Sequence, residues 1–178
     1  DWTRSGIGLL QARPDNRFLI RFRSLVGKMI IAGLYPGGMG CESKEEAGLL
    51  SWTGANFASW YRFLSQEHQG NILDLTQELR QVLPDFDSFS LREAGENARV
   101  LKVFFRSGAE NKKPLSYNFD ELSDGQRQII VLYCLLYAVK GEGYSLFLDE
   151  PDNYVALREV QPWLTALQDA YGEEISQA

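Results

Sequence analysis

The amino-acid sequence predicts an α/β fold. Three observations carry that reading. A short apolar run ends at the acid pair Asp149 and Glu150, the form of a core strand. Apolar residues recur at helical spacing over residues 56–83 and again over 155–171. Between those segments, residues 86–120 alternate apolar and polar side chains with the period of a strand.

Taken in order, residues 17–24 place Phe18, Ile20 and Phe22 on one side and Arg17, Arg21 and Arg23 near the other, predicting a half-buried strand. Residues 28–34 form a second short apolar run, closed by Pro36, Gly37 and Gly38. Glycine and charge dominate 37–48, which predicts a mobile loop. Phe57, Trp60, Tyr61 and Leu64 follow Asn56, a candidate N-cap, at helical spacing, and Gly70 breaks the pattern. Asn71 opens a second helix whose stripe is Ile72, Leu75, Leu79 and Val82, and Pro84 stops it. The pair predicts a helical hairpin.

A small antiparallel meander comes next. Phe89 and Leu91 mark one strand, residues 94–97 a turn, residues 100–106 a second strand, and Leu115, Tyr117 and Phe119 a third. Residues 128–140 are apolar nearly all round, hence a buried helix, and 141–143 end it. An apolar strand over 144–148 and a last helix over 155–171, carrying Pro162, complete the order. There is no internal repeat and no low-complexity tract.

The 178 residues suit one domain or a large piece of one, and 44% hydrophobic content predicts a real core. A net charge of -6 argues against a broad nucleic-acid-binding face, while leaving room for a local basic strip. Cys41 and Cys134 are too few and too distant for a disulfide framework or a thiolate metal site. Cys134 lies in an apolar run, which predicts a buried free thiol and a reducing compartment. His68, the single histidine, has no ligand partner at metal spacing and is expected at the surface. No stretch approaches the roughly 18 uninterrupted apolar residues of a membrane span. The start, Asp1-Trp2-Thr3-Arg4, has neither initiator Met nor signal-peptide pattern, so the chain is expected to be cut from something longer.

Two motifs carry chemistry. Asp149 and Glu150 leave an apolar strand at the sheet edge where open α/β sheets bind ligands, and a turn at Pro151 can swing both acids to one side. The first can hold a hydrated Mg²⁺, and the second can deprotonate a water attacking a γ-phosphate. An ordinary acidic turn fits the same residues. Ser123 with Gln126 three residues on is a capping box. That helix tip also offers N–H groups and a positive dipole end to a phosphate, with Gly125 allowing close approach.

In sequence, Leu122-Ser123-Asp124-Gly125-Gln126, a long apolar helix, a short break, and Ser145-Leu146-Phe147-Leu148-Asp149-Glu150-Pro151-Asp152 resemble the ABC-type ATPases. In that family a Leu-Ser-Gly-Gly-Gln signature precedes a Walker B strand and a D-loop. The SMC-like and RecF-like branch, with its predicted ATPases of genome maintenance and anti-phage defence, is the more similar. The likeness is strong over 122–170 and general before that. It implies a partial P-loop NTPase fold with a helical subdomain, a small antiparallel meander and a Walker B core strand.

Under this resemblance residues 1–178 form the C-terminal part of one ATPase domain. Its parts are N-terminal strands and loop (17–55), a helical hairpin (56–83), a β meander (86–120), and the signature helix, Walker B strand and following helix (122–178). The cofactors implied are ATP and Mg²⁺. Ser123, Gly125 and Gln126 would contact the γ-phosphate of ATP held by a second protomer. Asp149 would hold Mg²⁺ through water, Glu150 would be the general base, and Asp152 would sit in the D-loop at the dimer interface. Asp124 departs from the family pattern, and a carboxylate there repels phosphate unless it points away.

The 178 residues contain no Gly-x-x-x-x-Gly-Lys-Ser/Thr loop; the nearest candidate, Gly27-Lys28, has Phe22 at the first glycine position and Met29 at the hydroxyl position. The resemblance puts that loop upstream and a further strand with a switch histidine beyond residues 175–178, so both ends are expected to be truncated. Tight ATP binding and hydrolysis by this chain alone are not expected. The expected partners are the missing N-terminal lobe, a second protomer, and DNA or an effector protein, in the cytoplasm and without a membrane. An exposed Walker B edge would favour self-association. Two alternatives stand beside this: a degenerate ATPase-like scaffold that binds partners without hydrolysis, and a metal-dependent nuclease using Asp149, Glu150 and Asp152.

Overall fold

The structure is a computed structural model that describes residues 16–107, 113–140 and 143–171. The expectations for residues 1–4, 141–142 and 175–178 lie outside the described residues.

The first element corrects the sequence reading. Residues Arg17–Val26 form a helix, α1, and not a half-buried strand. Phe18, Phe22, Leu25 and Val26 also recur at helical spacing, so the run satisfies both periods. Asn16 decides between them, because its Oδ1 accepts the Leu19 N–H at 3.2 Å as an N-cap. The helix buries none of its residues, and Phe18 is 89% exposed.

Strand β1 (Met29–Ala32) occupies the second apolar run as expected. Residues 37–48, where composition predicts a mobile loop, contain short regular elements. A 3₁₀ turn at Pro36–Gly38 and a short strand β2 (Glu42–Ser43) organise them, and Met39, Cys41 and Ser43 are buried.

The helical hairpin is present as α2 (Phe57–Glu67) and α3 (Gln69–Val82). Asn56 precedes α2 without capping it; its Oδ1 accepts the Ser51 N–H at 2.8 Å and its Nδ2 donates to the Leu49 carbonyl at 2.9 Å. His68 is the half-buried joint between the helices, its ring edge-on to Phe63 with centroids 6.1 Å apart. Helix α3 starts before Asn71, whose Nδ2 donates to the Tyr137 carbonyl at 3.0 Å.

The meander follows as β3 (Phe86–Glu93), β4 (Arg99–Phe105) and β5 (Leu115–Asn118). Strand β4 is central, with β3 antiparallel along one edge and β5 along the other. Strand β2 joins the sheet as a fourth member, pairing with Val100 and Arg99. Phe119 is not a strand residue; it begins a 3₁₀ turn and stacks on Phe57 with centroids 4.6 Å apart.

Helix α4 (Asp124–Val139) is the axis of the core. Ile130, Val131, Leu132, Tyr133, Cys134 and Leu135 are all 0% exposed, as a helix apolar all round requires. Cys134 is a free, buried thiol, and burial pushes its pKa up. Strand β6 (Ser145–Leu148) pairs in parallel with β1, Met29 opposite Ser145 through Ala32 opposite Leu148. It is less buried than the expected core strand: Ser145 and Phe147 are exposed, and Leu146 and Leu148 are half-buried. Helix α5 (Leu157–Tyr171) carries Pro162 and locks onto α4 through Trp163, whose indole N–H donates to the Leu132 carbonyl at 2.9 Å.

The architecture is therefore α/β: a two-stranded parallel sheet and a four-stranded antiparallel sheet with helices packed between and beside them. Among the described residues no helix is long and apolar enough to cross a membrane.

Candidate functional site

Strands β1 and β6 run the same way, so their carboxyl ends open on one rim of the sheet. The Asp149 N–H donates to the Ala32 carbonyl at 2.9 Å and carries the ladder one step past β6. Asp149, Glu150 and Asp152 are all exposed beyond that point. Glu150 has φ 44, in the left-handed region, where a side chain costs about 1–2 kcal/mol. Strain of this size persists only where the surroundings hold it.

Those surroundings are visible. The Asn153 N–H donates to the Glu150 carbonyl at 3.1 Å, and its Nδ2 donates to Glu150 Oε2 at 3.2 Å. The Val155 N–H then donates to the Asp152 carbonyl at 3.1 Å, closing a second turn. The acid loop is thus a folded unit, with one carboxylate oxygen of Glu150 steered by Asn153.

The tip of α4 forms the second part. Ser123 Oγ accepts the Gln126 N–H at 3.3 Å, and Gln126 Oε1 accepts from the Ser123 N–H and hydroxyl, each at 3.1 Å. This is the capping box read from the sequence. It occupies the amides of Ser123 and Gln126, so Asp124 and Gly125 carry the remaining donors of the first turn. The Asp124 carboxylate turns along the helix and pairs with Arg127, whose side chain is 11% exposed. Arg127 Nη1 also reaches the Met39 carbonyl at 3.5 Å.

The two parts touch. A Cβ on Gly125 would lie 3.0 Å from the Tyr154 carbonyl oxygen, so glycine lets the acid loop rest on the helix tip. Gln128, one turn further along, is 1% exposed and donates Nε2 to the Pro151 carbonyl at 2.9 Å. On its other side the tip borders a cleft of about 340 Å³, with Ser123, Gly125 and Gln126 facing Leu83, Pro84 and Glu159. Asp149 and Glu150 do not line that cleft.

Among the described residues, no three of His, Cys, Asp and Glu gather as a metal site. Gly27, from the rejected phosphate-loop candidate, closes the C-terminus of α1 at φ -66.

Sequence reasoning missed Gln128, Asn153 and Arg127. Gln128 had only a faint signal, being the polar residue at which the apolar run 128–140 begins. Asn153 and Arg127 are common surface residue types whose partners only the folded chain reveals.

No protein-family model matches the chain, and no curated protein or solved structure matches it.

Proposed function

We propose that this chain is the signature and Walker B part of an ABC-type ATPase of the SMC-like or RecF-like kind. The phosphate-gripping loop would come from polypeptide outside these 178 residues. The observation that carries the reading is the seating of the acid loop on the serine-led tip of α4, through Gln128 to Pro151 at 2.9 Å and Gly125 beneath Tyr154.

The residues suit MgATP. The tip is a helix N-terminus whose Asp124 and Gly125 amides have no partner within the helix, which favours an anion. Asp124, the departure from the family pattern, is paired with Arg127, so its charge is offset within the tip. Mg²⁺ needs only one or two protein carboxylates beside phosphate and water, which suits separate acids. When bound, MgATP would supply the phosphoryl group and the counter-charge for its transfer.

The chain's own residues then divide the work. Asp149 would orient waters of the metal, and Glu150 would take the proton of the attacking water while Asn153 steadies Oε2. Ser123, Gly125 and Gln126 would face the γ-phosphate bound by a second protomer, and Asp152 would meet that protomer as the D-loop. The parent protein would use ATP-driven dimerisation in DNA maintenance or phage defence, in the cytoplasm, acting on DNA or an effector protein.

One observation favours the second reading, a scaffold without hydrolysis. The side chains of Ser123 and Gln126 are satisfied by each other, and Gly125 has a packing reason to be glycine. The full-length protein separates the two readings in sedimentation with and without MgATP. The ATPase reading predicts a dimer that needs MgATP and disappears in Ser123→Arg, which blocks the tip. A scaffold predicts association indifferent to nucleotide and to Ser123→Arg.

A further inference from the structure

Only two polar residues are buried among the described residues, Ser43 and Gln128. Ser43 is explained, because its hydroxyl donates to the Glu45 carbonyl at 3.0 Å and receives a bond from Ser59. Gln128 is not explained by stability. It makes one hydrogen bond, to Pro151, and its buried Oε1 has no partner. An orphaned buried acceptor costs more than one neutral hydrogen bond returns, so an apolar residue of the same shape would serve the core as well or better.

What Gln128 does control is position. Its bond is the one side-chain hydrogen bond from α4 to the acid loop among the described residues. The carbonyl it holds belongs to Pro151, next to Glu150 with its left-handed φ of 44. If that carbonyl were released, Glu150 could relax toward ordinary backbone, and the Asn153 bond to Oε2 would move with it. At the other end, Gln128 lies one turn beyond the Ser123 tip on the same rigid helix.

We propose that Gln128 is a positioning residue that clamps the acid loop to α4, so that displacement of the helix tip is passed to Glu150. The clamp itself is a property of the fold; its catalytic consequence rests on the ATPase reading. A tip pressed by a phosphate from a partner protomer would then set the orientation of the base in its own protomer.

The test uses Gln128→Leu and Gln128→Met in the full-length protein, with hydrogen exchange of the Asn153 and Val155 amides measured without nucleotide. Both variants should fold, since each replaces an orphaned polar atom by an apolar one. Exchange at those two amides should quicken at least about tenfold, while mid-α4 amides such as Leu132 keep their protection. Unchanged exchange in both variants, or uniform loosening of α4 and loop together, overturns the clamp.

Steady-state ATP turnover is the second arm. A positioning role predicts kcat about tenfold lower with KM within about twofold, the pattern of a lost transition-state interaction. A loosened loop with unchanged kcat overturns the link to the base. If the wild-type protein does not turn over ATP, the ATPase reading fails while the exchange arm still decides the clamp.

Discussion

The two sheets of this chain are buried very differently, and the one with the more apolar strands is the less covered. In the antiparallel sheet, Leu101 and Val103 of β4 are 0% exposed and belong to the same core cluster as the helical hairpin and α4. In the parallel sheet, Met29, Ile31 and Phe147 form an outer face that is 41%, 53% and 51% exposed. Only its inner residues, such as Ala32, join the core. Apolar content thus tells that a strand will be covered on one face, and not how many layers will cover it. Parallel sheets are ordinarily covered on both faces, so the side of the molecule that carries the acid loop is the one whose packing is least self-sufficient.

The largest effect should come from the covered side. Trp163→Ala removes a side chain 1% exposed and its bond to Leu132, and should cost about 3–5 kcal/mol in urea unfolding. A loss below about 1 kcal/mol would mean that α5 is not locked to the core as described.

Alkaline pH should find the same side. Burial, with help from Asp120, raises the Cys41 thiol from 9.0 to about 11, and burial also raises Cys134, Tyr61, Tyr133 and Tyr137. For a raised pKa the native state holds its proton longer than the unfolded state does. The stabilisation is therefore complete below the unfolded pKa and is lost as pH climbs. Tm should fall from pH 9 to 11, and Cys41→Ala should flatten part of that slope. A Tm that holds level across that window would contradict the burial of these groups.

At the helix tip, Ser123→Ala should cost about 1 kcal/mol through loss of the cap, read by urea unfolding. No loss at all would show the capping box to be idle in solution. The smallest effect belongs to the open sheet face, where Phe147→Ser should change stability by no more than about 0.5 kcal/mol. A loss several times larger would mean that the outer face is covered in solution, and would erase the contrast between the two sheets.

How much of this was legible depended on whether a pattern had one solution. The hairpin, the meander and α4 were legible because their apolar periods admit a single reading, and the capping box because both of its residues lie within one turn. Residues 17–26 were not, since Phe18 and Phe22 fit a strand and a helix alike and no buried contact arbitrates. The acids of the candidate site were legible from the apolar run that precedes them. Their support was not: Gln128 reaches Pro151 across 23 positions, and Asn153 reaches Glu150 within a turn in which Glu150 has a positive φ. Residues that position a site through a turn leave little trace in spacing.

Glu150 offers the most direct trial of the account. In the full-length protein, Glu150→Gln should keep MgATP binding and the MgATP-dependent dimer while turnover falls at least about a hundredfold, as expected when a general base is removed. Turnover equal to that of the wild type would remove Glu150 from the chemistry and, with it, the central proposal that the acid loop of one protomer and the α4 tip of a second complete one nucleotide site.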